Sequence, residues 1–118
     1  MDAKTLIQEY VDGWKENNAK KILDVITPDC VIIESHGPVY RGKEKVAEWI
    51  NDWIKNKSLV SKWDIASFYE ISPDKAAFEW VFECTVNGTR HSIDGVSIVF
   101  FKENKINYIR EYRTTKQS

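Results

Sequence analysis

A chain of 118 residues with a formal net charge of −1 predicts one domain over residues 1–118. That is long enough for a real core, but it offers no basic stripe for nucleic acid or an anionic membrane surface. Hydrophobic residues make up 42%, yet Trp, Tyr and Phe occur five times each, which predicts a large aromatic-lined interior or a substantial interface. No window reaches the roughly 18 apolar residues of a membrane span, and Cys30 and Cys84 lie outside any C-x-x-C or zinc spacing, so the expected setting is cytoplasmic, with reduced thiols, no metal and no cofactor.

Leu6, Ile7, Tyr10, Val11 and Trp14 recur at helical spacing behind Asp2, a side chain able to cap a helix. Residues 3–17 are therefore predicted as an amphipathic helix with Tyr10 on its buried stripe. Asn17-Asn18 breaks that helix, and Ile22, Leu23, Val25 and Ile26 predict a short second one that Pro28 ends. Asp29–His36 then reads as a strand in which Cys30, Ile32, Glu34 and His36 share one face. A carboxylate at Glu34 marks either a strand end already in solvent or a pocket where burial raises its pKa for proton transfer. Beyond a loop with Gly37-Pro38 and Gly42, the stripe Val46, Trp49, Ile50, Trp53 and Ile54 predicts a third helix running to about Lys57.

From Leu59 the period changes to two. Trp63, Ile65, Tyr69 and Ile71 alternate with polar residues as far as a turn at Ser72–Lys75, and a strand follows over Ala76–Val86. Asn87-Gly88 is a type I′ hairpin signal, so Thr89–Lys102 must return antiparallel; Glu103-Asn104 makes another tight turn into Lys105–Arg113. The class is α+β: a meander of four long strands with the Glu34 strand as a fifth. Trp80, Phe82 and Cys84 share the face predicted to line any cavity. On the following strand His91, Ile93, Gly95, Ser97, Val99 and Phe101 share one face, while Val96, Ile98 and Phe100 make the opposite face apolar too. Helices are expected on one side and a second copy of the protein on the other, giving a homodimer. Asp94 has the parity opposite to Ser97 unless a bulge at Gly95 flips the register.

Gln8-Glu9-Tyr10-Val11, Asp29-Cys30-Val31-Ile32-Ile33-Glu34 and the run from Gly42 to Trp49 resemble the bacterial ketosteroid isomerases. The order of elements resembles the NTF2-like fold, the cone-shaped α+β barrel shared by nuclear transport factor 2, ketosteroid isomerase and the SnoaL-type polyketide cyclases. That resemblance implies three helices packed on a strongly bent, mostly antiparallel sheet, with Tyr10 as donor to a substrate oxyanion and Glu34 as general base. It departs at the third position. Ser97 stands where the isomerases hold a protonated aspartic acid, and a hydroxyl is the weaker donor, which implies slow or absent steroid enone isomerisation. Lys105–Tyr112 resembles the last strand of SnoaL-like proteins and of limonene epoxide hydrolase, whose pocket carries an aspartate where Glu111 stands. The hydrolase's arginine and second aspartate fall at Val99 or Ser97 and at Phe101, which cannot do that work.

Two functional classes follow. The first is a cofactor-independent isomerase, cyclase or lyase acting on an apolar carbonyl compound, with Glu34 as base, Tyr10 as oxyanion donor, Ser97 or His36 assisting and Glu111 as a second carboxylate. Its substrate would rest against Trp14, Trp49, Trp53, Trp80, Phe82, Cys84, Val99 and Phe101. The second is a non-catalytic module that holds a small apolar ligand or binds a protein. Each residue also has a plain structural reading: Tyr10 and the tryptophans as core, Glu111 in an ion pair with Arg110 or Arg113.

Overall fold

The Asp2 carboxylate accepts the Thr5 amide at 2.8 Å and opens α1, Ala3–Lys15, whose buried stripe is Leu6, Ile7, Tyr10, Val11 and Trp14. Asn17, at φ +52°, reverses the chain, and the Asn18 side chain accepts the Lys21 amide at 3.1 Å to start α2, Ala19–Leu23. The computed structural model describes residues 2–114; the outermost residues of the expected 1–118 unit lie outside them.

The second helix stops earlier than its apolar pattern predicts. Ile26 already belongs to β1, Ile26–Ile33, and the Val25 carbonyl accepts the Ile106 amide at 2.8 Å, so sheet pairing captures both residues. Pro28, expected to end the helix, lies inside β1, in the break where the β1–β6 register shifts between Ile26 and Val31. A residue without an N–H is tolerated where the ladder is interrupted. Asn107 spans the gap from β6, donating to Thr27 Oγ1 at 2.9 Å and Asp29 Oδ1 at 3.1 Å.

The loop after β1 holds a short strand the sequence reading missed, β2, Val39–Arg41, which pairs antiparallel with β1. Then come α3, Lys43–Lys55, and four long strands: β3, Leu59–Ser72; β4, Lys75–Val86; β5, Thr89–Lys102; and β6, Lys105–Arg113. The sheet order is β2-β1-β6-β5-β4-β3, with β1 parallel to β6 and the other pairs antiparallel. Asn87 at φ +51° and Gly88 at φ +76° make the expected turn between β4 and β5. Among the described residues, three helices thus pack on a six-stranded, unclosed, mostly antiparallel sheet, the α+β architecture expected, with the core between the helices and the inward sheet face.

The β4–β5 register runs unbroken from Lys75 opposite Phe100 to Val86 opposite Thr89, so no bulge flips Asp94. Asp94 instead takes hydrogen bonds from Thr114, through its backbone carbonyl and its carboxylate. Gly95 has a different task. A Cβ there would collide with the Tyr112 carbonyl oxygen and meet Trp80 Cη2 at 3.0 Å, so the missing side chain makes room for the indole.

Candidate functional site

The inward face of the sheet encloses a cavity of about 510 Å³ between α1, α3 and strands β3 to β6. Its aromatic wall is Tyr10, Trp14, Trp49, Trp53, Trp63, Trp80 and Phe82, with Val60, Cys84, Val86 and Ile93 between the rings. Glu34, Ser35, His36, His91, Glu111 and Arg113 supply its polar groups. Trp63 meets Trp80 at 6.5 Å and 82° and Phe82 at 5.3 Å and 88°, edge-to-face contacts that brace each ring without filling the space they enclose.

Glu34 lies one residue past the end of β1, its amide donating to the Pro38 carbonyl at 2.9 Å. One carboxylate oxygen, Oε2, accepts the Tyr40 hydroxyl at 3.3 Å and lies 3.3 Å from His36 Nε2. The Glu34 side chain is 18% exposed and that of His36 58%, so the histidine joins the carboxylate to solvent at the rim. Burial raises the Glu34 pKa, and the histidine and the phenol counter that rise by stabilising the anion. Sequence reasoning missed Tyr40. The β2 strand that aims it went unrecognised, and its ring is held by a parallel stack on Trp49, 4.1 Å between centroids, that joins β2 to α3.

Glu111 enters the same cavity from β6. Neither Arg110 nor Arg113 pairs with it: Arg110 lies over the Tyr112 ring at 5.0 Å, and among the described residues no lysine or arginine lies within 4 Å of either cavity carboxylate. Burial, reinforced by the neighbouring Glu34 charge, pushes the Glu111 pKa up to about 8. Tyr10, 2% exposed, sits beside both: burial holds its hydroxyl protonated, with the Glu111 and Glu34 charges acting in the same direction.

Ser97, Val99 and Phe101 do not form part of the cavity wall. Ser97 is wholly buried and its hydroxyl accepts Trp80 Nε1–H at 2.9 Å, while Val99 is core and Phe101 packs against it. The reason is the length of β5. His91 and Ile93 reach the cavity, and the same face then continues into solid packing. Ser97 therefore works on the wall: with Gly95 beneath the ring, it pins the Trp80 indole. Across the β5–β6 pair Ser97 stands opposite Glu111, so a carboxyl group is present at this level of the sheet, one strand over from where the sequence comparison placed it. The other ligand-contacting expectations, Trp14, Trp49, Trp53, Trp80, Phe82 and Cys84, all lie on the cavity wall.

Comparison with known proteins adds a family. The model of the SnoaL-like domain matches residues 7–109. Among curated proteins, none matches the chain. Solved structures share the fold at low identity. A protein with a ketosteroid isomerase-like fold from Catenulispora acidiphila, in complex with trimethylamine, has TM-score 0.77 and 14% identity, covering 95% of this chain and 86% of its own. A computationally designed 17-OHP binder has TM-score 0.82 and 19% identity, with coverage of 93% and 91%. An LEH-like epoxide hydrolase from M. tuberculosis has TM-score 0.82 and 10% identity, with coverage of 93% and 80%.

Proposed function

Since the chain belongs to the SnoaL-like domain family, we propose that it is a small-molecule pocket protein that moves protons on an apolar carbonyl compound, using its two cavity carboxyl groups. The observation that carries this reading is that Glu34 and Glu111 share one aromatic cavity with Tyr10 and have different environments. Glu34 has a histidine and a phenol to stabilise its anion; Glu111 has neither and lies near a like charge. Pairs of titratable groups pushed apart in this way divide into a base and an acid. Glu34, ionised first, takes a proton from carbon beside the carbonyl. Glu111, neutral at pH 7, and the Tyr10 hydroxyl donate to the oxygen as its negative charge develops. His36, at the rim, passes the proton between Glu34 and solvent.

Glu34→Gln keeps the shape and loses the basic oxygen. Proton–deuterium exchange beside the carbonyl of apolar cyclic enones and 1,3-diketones, followed by NMR, should fall by about 10²–10⁴ in that variant. Exchange undiminished in Glu34→Gln would remove Glu34 from its role. One observation favours a binding module instead: the same fold carries a designed 17-OHP binder and a complex with trimethylamine, so a cavity of this kind needs no chemistry to hold a small molecule. For a binder, Glu34→Gln would alter affinity modestly and nothing else. A reducing, cytoplasmic setting belongs to this reading, supported by two buried free cysteines.

The proposed assembly is a homodimer through the outer sheet face. Val96, Ile98 and Phe100 are half-buried there, Phe100 stacks on Tyr108 at 4.8 Å, and Tyr112 is 48% exposed. Lys75 over Phe100 and Arg110 over Tyr112, together with Glu79 opposite Val96, give the strip both signs of charge, which a two-fold contact can pair across its axis. Light scattering should give the mass of two chains, and Ile98→Arg the mass of one. A parent protein with the mass of one chain at about micromolar concentration would overturn the assembly.

A further inference from the structure

The polar groups of the cavity are unevenly distributed. Two carboxyl groups, on β6 and just past β1, share it with seven aromatic rings. Among the described residues, the groups able to carry positive charge there, His36, His91 and Arg113, belong to residues that are exposed or whose side chains are largely so. Among the described residues, the other titratable groups in or against the cavity are Tyr10 from α1, Tyr40 from β2 and Cys84 from β4. Burial raises the pKa of all three, which keeps them neutral. Fixed charge in the cavity is therefore negative where it is sheltered and positive only where solvent screens it.

We propose that the cavity takes a monocationic organic ligand, an alkylammonium or quaternary ammonium head on an apolar body, with the head between Glu34 and Glu111 and against the indole wall. Aromatic faces attract such heads because the ring quadrupole is negative above its plane, and a low-polarity wall strengthens both that attraction and the Coulomb attraction of the carboxylates. Burial and the neighbouring Glu34 charge hold Glu111 protonated; a cation placed between the two carboxyl groups offsets both by stabilising the anions, so it binds the doubly ionised pair and releases a proton. An anionic ligand would meet the opposite field. This inference rests on the reading of the cavity as a ligand site and not on the proposed catalysis, in which Glu111 keeps its proton.

The test uses two probes of the same shape: benzyltrimethylammonium, and neopentylbenzene, in which carbon replaces the charged nitrogen. Tryptophan fluorescence reports binding from inside the wall, and a neutral dye, Nile red, reports the cavity independently of charge. The expected result is that the cation binds about tenfold or more tighter than its neutral twin. Its affinity should rise as pH increases through about 8, where Glu111 gives up its proton. Calorimetry in two buffers should show proton release at neutral pH, and since the probe carries no ionisable proton, the proton must come from the protein. Glu111→Gln should abolish the release and the pH dependence near 8 while still binding Nile red. Equal or tighter binding of neopentylbenzene overturns the charge inference and leaves the cavity reading intact. Failure of all three molecules to bind overturns both.

Discussion

The concave side of the sheet is built in two ways along the same strands. Toward one end Ala76, Phe78, Val99, Ile106 and Ile109 are each no more than 2% exposed and fill their space. Toward the other, β4 presents Trp80, Phe82 and Cys84 in place of Ala76 and Phe78, and the same face opens into the cavity. Branched aliphatic side chains interdigitate. Large planar rings set edge to face instead prop one another apart, and the Ser97 hydroxyl and the space above Gly95 fix the Trp80 ring among them. A hollow can thus be as well defined as a core if its walls are braced sideways.

The sharpest way to break this contrast is to remove one ring from each end. Phe78→Ala should cost about 3–5 kcal/mol, because it opens a void in solid packing. Phe82→Ala borders a space that already exists, and it should cost about 1–2 kcal/mol. Urea denaturation of the two variants checks this; equal losses would mean that the two ends are packed alike.

Next in size is a gain. Glu111 has its folded pKa raised to about 8, well above the roughly 4.3 of an unfolded glutamate. Below the unfolded pKa both states are protonated and burial costs nothing extra. As pH rises from there the unfolded chain ionises first, so stability falls until the folded group also titrates near 8. Glu111→Gln should therefore stabilise the fold by about 2–4 kcal/mol at pH 8 and by almost nothing at pH 4, as measured by thermal or urea unfolding across that range. A variant no more stable than the parent at pH 8 would show that the carboxyl group is not held neutral. The smallest effect belongs to the wall itself. Ser97→Ala leaves the Trp80 N–H without an acceptor and should cost about 1–2 kcal/mol. The Trp80 indole proton should shift in the NMR spectrum; an unmoved resonance would show that the hydroxyl does not hold the ring.

The sequence by itself determined the elements and their inward faces. A stripe at period 3.6 is readable whatever it packs against, as is alternation at period two, and Asn87-Gly88 carries its own turn geometry. Periodicity placed Tyr10 on a buried stripe and Glu34 on an inward strand face, and the resemblance to the isomerases is what made the two candidates for one site. Where periodicity met competing partners, local reading failed. Val25 and Ile26 look helical until β6 offers their backbone a sheet, and Val39–Arg41 is too short to announce a strand. Only the tertiary structure decided the chemistry of the site, because that depends on groups meeting from distant segments. The register of β5 against β6 sets Glu111 opposite Ser97, and the stack of Tyr40 on Trp49 brings a phenol to Glu34. The desolvation that keeps Glu111 protonated comes from walls built by five other elements, α1, α3, β3, β4 and β5, and no stretch of chain around residue 111 encodes it.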